Sequence, residues 1–395
     1  MTPLTDGSFI NSLLLPFLRK GKAASFCLPG AVGEQTRVLC IDPGDLSEVL
    51  FHLPVLTAIR RKYPACQFDF LLPENHVSLV VPSGLARQCL LYKEGQLSPW
   101  RPAFASLLRR LGAGGYDLAV VMSFYPQPRL ELAALASGAP LRLGPSHPDA
   151  WPAVNLEVRP DPGQSAYLGD RMRALAPFLG FAAGDMDPRW PLPADKIRHI
   201  AQQVHFHMPN PEQLLIGLDP GGGKSGFAIS LDNLDYLARQ LSSQLVCRIL
   251  PLGLPAELER AQACGARLGS GPLGLPRETL LDMALLLTQC DLFLAGNTDF
   301  FHLAVALGVP AVGLFSRDEP QAWVPAGRPH VEVLRLAGGE KVDLTAFFAA
   351  VNRVTRGRSG RPWPLLVDPA IVSASAPPPS TSPGPGAVIP AAHDR

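Results

Sequence analysis

The chain has 395 residues, 47% of them hydrophobic, which on the usual prior of about 100–200 residues per domain makes roughly two domains with cores and excludes a mostly disordered chain. Its 35 basic and 34 acidic residues leave a formal charge of +1, so no long-range field gathers nucleic acid or an anionic membrane, and a charged ligand must meet a local site. The 42 prolines and 36 glycines point to many turns and at least one low-complexity stretch.

Residues 1–36 read as an N-terminal extension. Its apolar stretch Phe9–Leu18 is followed by Arg19, Lys20 and Lys22, the reverse of a signal peptide's order, and either lies on a membrane surface or packs as an extension. No apolar run reaches the about 18 residues a spanning helix needs. From Arg37 the sequence alternates strands and helices. Strands are expected at Arg37–Ile41, Gln67–Leu72, Gln88–Leu91, Asp117–Met122 and Leu141–Gly144. Between the first two, Val49, Leu50, Leu53, Leu56 and Ile59 recur at helical spacing until Tyr63-Pro64, which makes a βαβ unit. A long helical pattern over Gln164–Leu179 and the turn-rich Gly184–Pro193 lead to a second alternation: strand Leu214–Leu218, helix Leu231–Gln244, strand Val246–Leu250, helices Glu257–Leu268 and Arg277–Thr288, strand Asp291–Ala295, helix Asp299–Leu307 and strand Pro310–Phe315. Two tandem doubly wound α/β domains follow, with ligands expected at the carboxyl ends of strands, in the cleft between the domains. Beyond Arg356 the composition collapses into Pro, Ser, Ala and Gly, a tail that cannot bury enough apolar surface to order itself.

The seven cysteines are scattered, with no C-x-x-C pair and no His cluster at finger spacing. Buried thiols in a reducing, cytoplasmic compartment fit them, and no metal site is expected. His205 and His207 lack a third ligand and read as surface or core residues.

Three loops offer chemistry. Asp219-Pro220-Gly221-Gly222-Gly223-Lys224-Ser225-Gly226 follows a strand, and its glycines and lysine suit a phosphate; the alternative is a plain flexible turn. It is out of register for a P-loop, which requires Gly where Leu218 stands. Gly296-Asn297-Thr298-Asp299-Phe300-Phe301-His302 runs from a strand end into a helix, where short polar residues cap the helix or aim its N–H groups at an anion; His302 taken alone is more often a packed residue. In Asp42-Pro43-Gly44-Asp45-Leu46-Ser47-Glu48, a carboxylate at the mouth of the cleft accepts a substrate hydroxyl's proton, or the acids merely favour the helix N-terminus.

In this order and spacing, these loops, together with Leu53-Pro54, Arg60-Arg61-Lys62-Tyr63-Pro64, Tyr116-Asp117-Leu118, Arg142-Leu143-Gly144, Leu252–Glu257, Ala306–Pro310 and Trp323-Val324-Pro325, resemble the family-9 glycosyltransferases, the ADP-heptose:lipopolysaccharide heptosyltransferases. The resemblance covers about Arg37 to Val354. It implies a GT-B fold, with an acceptor-side Rossmann-like domain over 37–193, a nucleotide-sugar-binding one over 194–355 and the tail over 356–395. It also implies inverting transfer from ADP-heptose to a lipopolysaccharide-core or related glycan acceptor, without metal or other cofactor, in the cytoplasm and with possible peripheral contact at the inner face of the inner membrane. Glu48 or Asp45 would then be the base, and Gly221, Gly222, Gly223, Lys224, Ser225, Asn297, Thr298, Asp299 and His302 would line the donor.

The chain departs from the family pattern in the cleft. The family's basic residue and Gly-Asp in the first loop are Asp42, Ser47 and Glu48 here; its Asp-Thr-Gly is Asn297-Thr298-Asp299; and the Lys before a Trp-Pro pair is replaced by Phe227–Ser230, with Lys224 nearby as a substitute. Three readings therefore stay open: an active transferase, a degenerate member that binds nucleotide-sugar, glycan or partner protein without turnover, and another nucleotide-sugar enzyme such as an epimerase that releases UDP.

Overall fold

The computed structural model describes residues 30, 32–98, 100–158, 167–182, 189–208, 210, 212–224, 229–253, 258–267, 275–325, 327–338 and 340–356. The Phe9–Leu18 stretch, Ser225 and the tail beyond Arg356 lie outside the described residues.

Strands β1 (Arg37–Ile41), β2 (Gln67–Pro73), β3 (Ala86–Tyr92), β4 (Leu118–Val121), β5 (Leu141–Pro145) and β6 (Leu156–Val158) form a parallel sheet in the order β3-β2-β1-β4-β5-β6. Strands β7 (Leu214–Leu218), β8 (Cys247–Pro251), β9 (Leu292–Ala295), β10 (Ala311–Ser316) and β11 (Val331–Leu336) form a second parallel sheet, ordered β11-β10-β9-β7-β8. The order reverses between β1 and β4 in the first sheet and between β7 and β9 in the second. Those switch points leave crevices at the strand C-termini where α/β proteins bind ligands.

The helices are α1 (Leu46–Lys62), α2 (Pro102–Gly112), α3 (Pro128–Ala136), α4 (Ala194–His207), α5 (Leu231–Gln244), α6 (Leu258–Arg267), α7 (Leu280–Gln289), α8 (Asp299–Leu307) and α9 (Leu344–Thr355). Strand alternation decides which helix each face receives. Leu39 and Ile41 of β1 join Phe104 and Leu107 of α2 and Leu130 of α3, whereas Val38 and Cys40 face α1. In the second sheet Leu292 and Leu294 of β9 pack with α5 and α9 residues, and Phe293 and Ala295 with α7 and α8. The α1 side of the first sheet and the α7–α8 side of the second share one continuous apolar core. Gly217 of β7 is required by close packing there, since a Cβ would stand 2.8 Å from Cys290 Sγ and 2.9 Å from the Phe293 ring.

Two expectations are corrected. Among the described residues, the helical pattern of Gln164–Leu179 is one α-turn, Leu168–Arg171, followed by a 3₁₀ turn, Met172–Leu175. Within that turn the Tyr167 ring folds back over Gly169, filling the space where a Cβ would lie. The helix expected from Arg277 starts at Leu280, because Thr279 and Asp282 form a capping box in which each side chain accepts from the other's backbone N–H. His205 and His207 lie exposed in the last turn of α4, a helix the sequence reading did not mark. No helix among the described residues is long and apolar enough to cross a membrane.

Candidate active site

The first crevice is built around Asp42, the residue after β1. Its Oδ1 accepts from Gly44 N–H at 2.7 Å, an Asx turn that carries Gly44 to φ +91°, where only glycine sits without strain. Its Oδ2 lies 2.7 Å from His76 Nδ1, and its carbonyl accepts from Tyr92 O–H at 2.7 Å. Asp42 is fully buried, so its carboxylate organises the loop and does not face the cleft. Although burial opposes it, the hydrogen bond and charge of Asp42 hold His76 above its ordinary pKa.

The turn delivers Asp45 to the N-cap of α1, where Oδ1 accepts from Glu48 N–H at 3.2 Å. Glu48, one helical turn inside, is turned away from solvent and 2% exposed. Its Oε1 accepts from Ser123 O–H at 3.0 Å and Phe124 N–H at 3.2 Å, at the end of β4. Burial is the main reason its carboxyl is pushed up to about 7; the Ser123 hydrogen bond opposes the shift and the nearby Asp45 adds to it.

In the second crevice Asp219 ties two loops together. Its Oδ1 accepts from Gly221 N–H at 2.8 Å and its Oδ2 from Thr298 O–H at 2.6 Å. Thr298 in turn caps α8 by accepting from Phe301 N–H at 3.2 Å. Lys224 N–H donates to the Asn297 carbonyl at 2.8 Å, so the Gly221–Gly223 turn is strapped to the β9 end. Gly222 is exposed and nothing crowds it, while Arg260 of α6 donates to the carbonyls of Pro220 and Ile229 on either side of this loop.

Asn297 and His302 belong to a packed network. The Asn297 amide donates to Glu319, which fixes its carbonyl end toward His302 Nε2 at 2.8 Å. His302 Nε2 therefore carries the proton, and Nδ1 accepts from Tyr167 O–H at 3.2 Å. Burial drives His302 down to about 3, and Lys224 pushes the same way, so the ring is neutral. Phe51, Phe301, Tyr167 and Trp323 enclose it. The plainer of the two readings of His302, a packed residue, describes what is found.

The two crevices meet at Lys224. Its ammonium donates to Asp45 Oδ1 and Oδ2 at 2.8 and 2.7 Å and to Asp299 Oδ1 at 2.7 Å, and it stands 5.4 Å from the centre of the Trp323 ring. Ser47 closes the arrangement from α1, donating to the same Asp299 oxygen through its hydroxyl at 2.7 Å and its N–H at 3.2 Å. Burial works against the Lys224 charge, yet Asp299 and Asp45 hold its pKa above the lysine value. Burial likewise pushes Asp299 up, and Lys224 and Ser47 overcome it, so its pKa is lowered. Beside this cluster a cleft of about 1030 Å³ opens over the ends of β1, β2, β3 and β4, with Asp45 and Asp299 in its wall.

The structure thus gathers Asp45, Lys224 and Asp299 at one point, sets Glu48 behind them, and uses Asn297, Thr298 and His302 to hold the second loop. Ser123, Tyr167, Glu319 and Arg260 were not singled out from the sequence. Ser123 alone had a local signal, as the first polar residue after an apolar strand; the others contribute through distant contacts. Among the described residues no three His, Cys, Asp or Glu side chains group at metal-binding spacing.

A family model for glycosyltransferase family 9 (heptosyltransferase) matches residues 104–345. Lipopolysaccharide heptosyltransferase 1 of Pseudomonas aeruginosa is 25% identical over 329 residues, covering 75% of this chain and 83% of that protein. Among solved structures, the family-9 glycosyl transferase of Veillonella parvula aligns with a TM-score of 0.62 at 17% identity, over 83% of this chain and 91% of that one. E. coli heptosyltransferase WaaC with ADP-2-deoxy-2-fluoro heptose aligns with a TM-score of 0.59 at 20% identity, over 81% and 98%. The structural likenesses bear on the fold, which is GT-B. The sequence match spans more than half of the residues, and on that ground the chain belongs to glycosyltransferase family 9.

Proposed function

We propose that this protein is an inverting glycosyltransferase. It takes a sugar from a nucleotide diphosphate donor, ADP-heptose favoured, and transfers it to a lipopolysaccharide-core or related glycan. The observation that carries the reading is the contact of Asp45 with Lys224, where the crevices of the two sheets face each other. An acceptor hydroxyl in the cleft attacks the anomeric carbon, its proton passes to Asp45, and the bond to the diphosphate breaks with the electron pair leaving on phosphate oxygen. Lys224, released from its carboxylates, balances that charge. The solved relative that holds an ADP-sugar analogue and the heptosyltransferase among the sequence relatives support the choice of donor. Donor binding and turnover are measured together: calorimetric titration with ADP-heptose and a panel of UDP- and GDP-sugars, and nucleotide release with acceptor lipid. Tight binding of one donor with release of its nucleotide supports the transferase. No donor binding rejects it.

A second reading, binding without turnover, draws on the saturation of Lys224 by two carboxylates and the withdrawal of Glu48. Donor binding without release in the presence of authentic acceptor selects it. The proposed site of action is the inner face of the inner membrane, with residues 9–22 in peripheral contact. Equal sedimentation with and without anionic liposomes, or no effect of deleting the segment, removes that part.

A further inference from the structure

We infer that His76 is a positioning residue for the transfer: set against Asp42, its imidazolium holds the turn that brings both candidate bases, Asp45 and Glu48, to the cleft. The inference rests on the transferase reading and deepens it, naming what sets the proton acceptor in place whichever of the two acids it is. Residues 42–48 include Asp42, Asp45 and Glu48 and no lysine or arginine. Asp42 is fully buried, and a buried carboxylate needs compensation. Among the described residues no lysine or arginine contacts it. His76, from the 3₁₀ turn Glu74–His76 after β2, is its ion-pair partner, with Nδ1 2.7 Å from Oδ2 and both side chains almost wholly out of solvent.

With His76 on Oδ2, Gly44 N–H on Oδ1 and Tyr92 O–H on the carbonyl, Asp42 is pinned at three oxygens. The turn so fixed ends at Asp45, the N-cap of α1, and Glu48 follows in the first turn of that helix. The cleft wall includes Pro43, Gly44 and Asp45 after Asp42, Pro73, Glu74 and Asn75 before His76, and Tyr92. The pair therefore acts on the cleft through its neighbours. Burial opposes the charge of His76, but the hydrogen bond and charge of Asp42 outweigh it, with Asp299 and Asp45 adding to them, so the imidazolium persists above the ordinary histidine range. The other charges at this place are engaged, Glu74 by Lys93 at 3.3 Å and Lys224 by Asp45 and Asp299. Because Nδ1 keeps its proton toward Asp42, His76 titrates at Nε2. Deprotonation leaves the hydrogen bond in place and removes its charge, which roughly halves its strength.

The test separates charge from shape in the full chain, with folding checked by circular dichroism. In H76N an amide stands where Nδ1 stood and donates to Asp42 without titrating; in H76F no donor remains. The parent should lose about tenfold in kcat on the alkaline side, as pH rises through the His76 titration above 6.5, while calorimetric donor affinity stays within a few-fold. H76N should lack that alkaline limb and run near the parent's high-pH level, and H76F should fall about tenfold below H76N. The imidazole NMR signal of His76, assigned by its loss in H76N, reports the pair directly. D42N keeps an acceptor for Gly44 N–H and removes the carboxylate, so it should bring the His76 titration down. Amide hydrogen exchange over residues 45–50, which needs no turnover, should be about tenfold faster in H76F than in H76N. An alkaline limb that survives in H76N, a His76 titration unmoved by D42N, or H76F equal to H76N in kcat and exchange overturns the inference. A parent that neither binds nor turns over any donor sinks the transferase reading and leaves exchange and the D42N titration to decide the role of His76 in the turn. Full donor binding and release by H76F sinks only this inference.

Discussion

In the β1–α1 and β9–α8 junctions alike, an oxygen-bearing side chain caps the helix, Asp45 in one and Thr298 in the other, and a carboxylate follows in the first turn, Glu48 or Asp299. Desolvation pushes both acids up. Glu48 accepts from the neutral donors Ser123 and Phe124, feels Lys224 only weakly, and ends near neutral pH, at about 7, whereas Asp299 bonds the Lys224 ammonium directly and falls below its ordinary range. The local signal is shared, and the partner brought from across the chain decides whether the acid is a proton reservoir or a fixed charge.

The sharpest way to break this comparison is to take the charge from each acid of the first junction in turn. Asp45→Asn keeps a cap for α1 and removes the proposed proton acceptor. It should lower kcat by about 10²–10⁴ while donor affinity stays within a few-fold. If instead Glu48→Gln alone abolishes release and Asp45→Asn does not, the buried acid is the base, and kcat/KM in the unaltered chain should rise with pH through about 7.

Glu48→Gln also tests burial. Because the folded-state pKa lies above the ordinary value of 4.5, the protonated acid favours the fold below that value, and stability is lost as pH rises through about 7. The variant, which cannot ionise, should gain on the order of 3 kcal/mol over the parent at pH 8 and almost nothing at pH 4, read from thermal unfolding. An equal gain at both pH values would mean that packing, not charge, is responsible.

The smallest effect belongs to the second junction. Asp299→Gly restores the residue the family pattern has there and frees Lys224 of one carboxylate. The pair is partly exposed, so only about fivefold tighter donor binding is expected by calorimetry. Unchanged or weaker donor binding would show that Asp299 does not compete with the diphosphate.

Local patterns placed most elements, with the helical spacing of Gln164–Leu179 the exception. Leu231, Leu234, Leu237 and Leu241 mark one face of α5, Ser230 accepts from Asn233 N–H at its start, and the helix has the expected limits. The two tandem α/β domains and the three loops were legible in the same way, and the GT-B architecture followed from their resemblance to a known family. Asp42 was not: it reads as a carboxylate at the cleft mouth, but His76, 34 residues on, and the Asx turn hold it inside. Glu48 has the right slot, yet its withdrawal depends on Ser123, 75 residues away, and the meeting of Asp45, Lys224 and Asp299 depends on both sheets being in position. Contacts of such range leave no trace in periodicity or spacing.

Phe51 of α1 stacks edge-on against Tyr167 and His302 and lies 5.7 Å from Trp323, which makes these rings the keystone of the apolar core shared by both sheets. Swinging the sheets apart would wet that surface at roughly 25 cal/mol per Å², in addition to breaking the Lys224 ion pairs. The two halves should consequently denature as one thermodynamic unit, with a single calorimetric endotherm whose enthalpy matches the van't Hoff value.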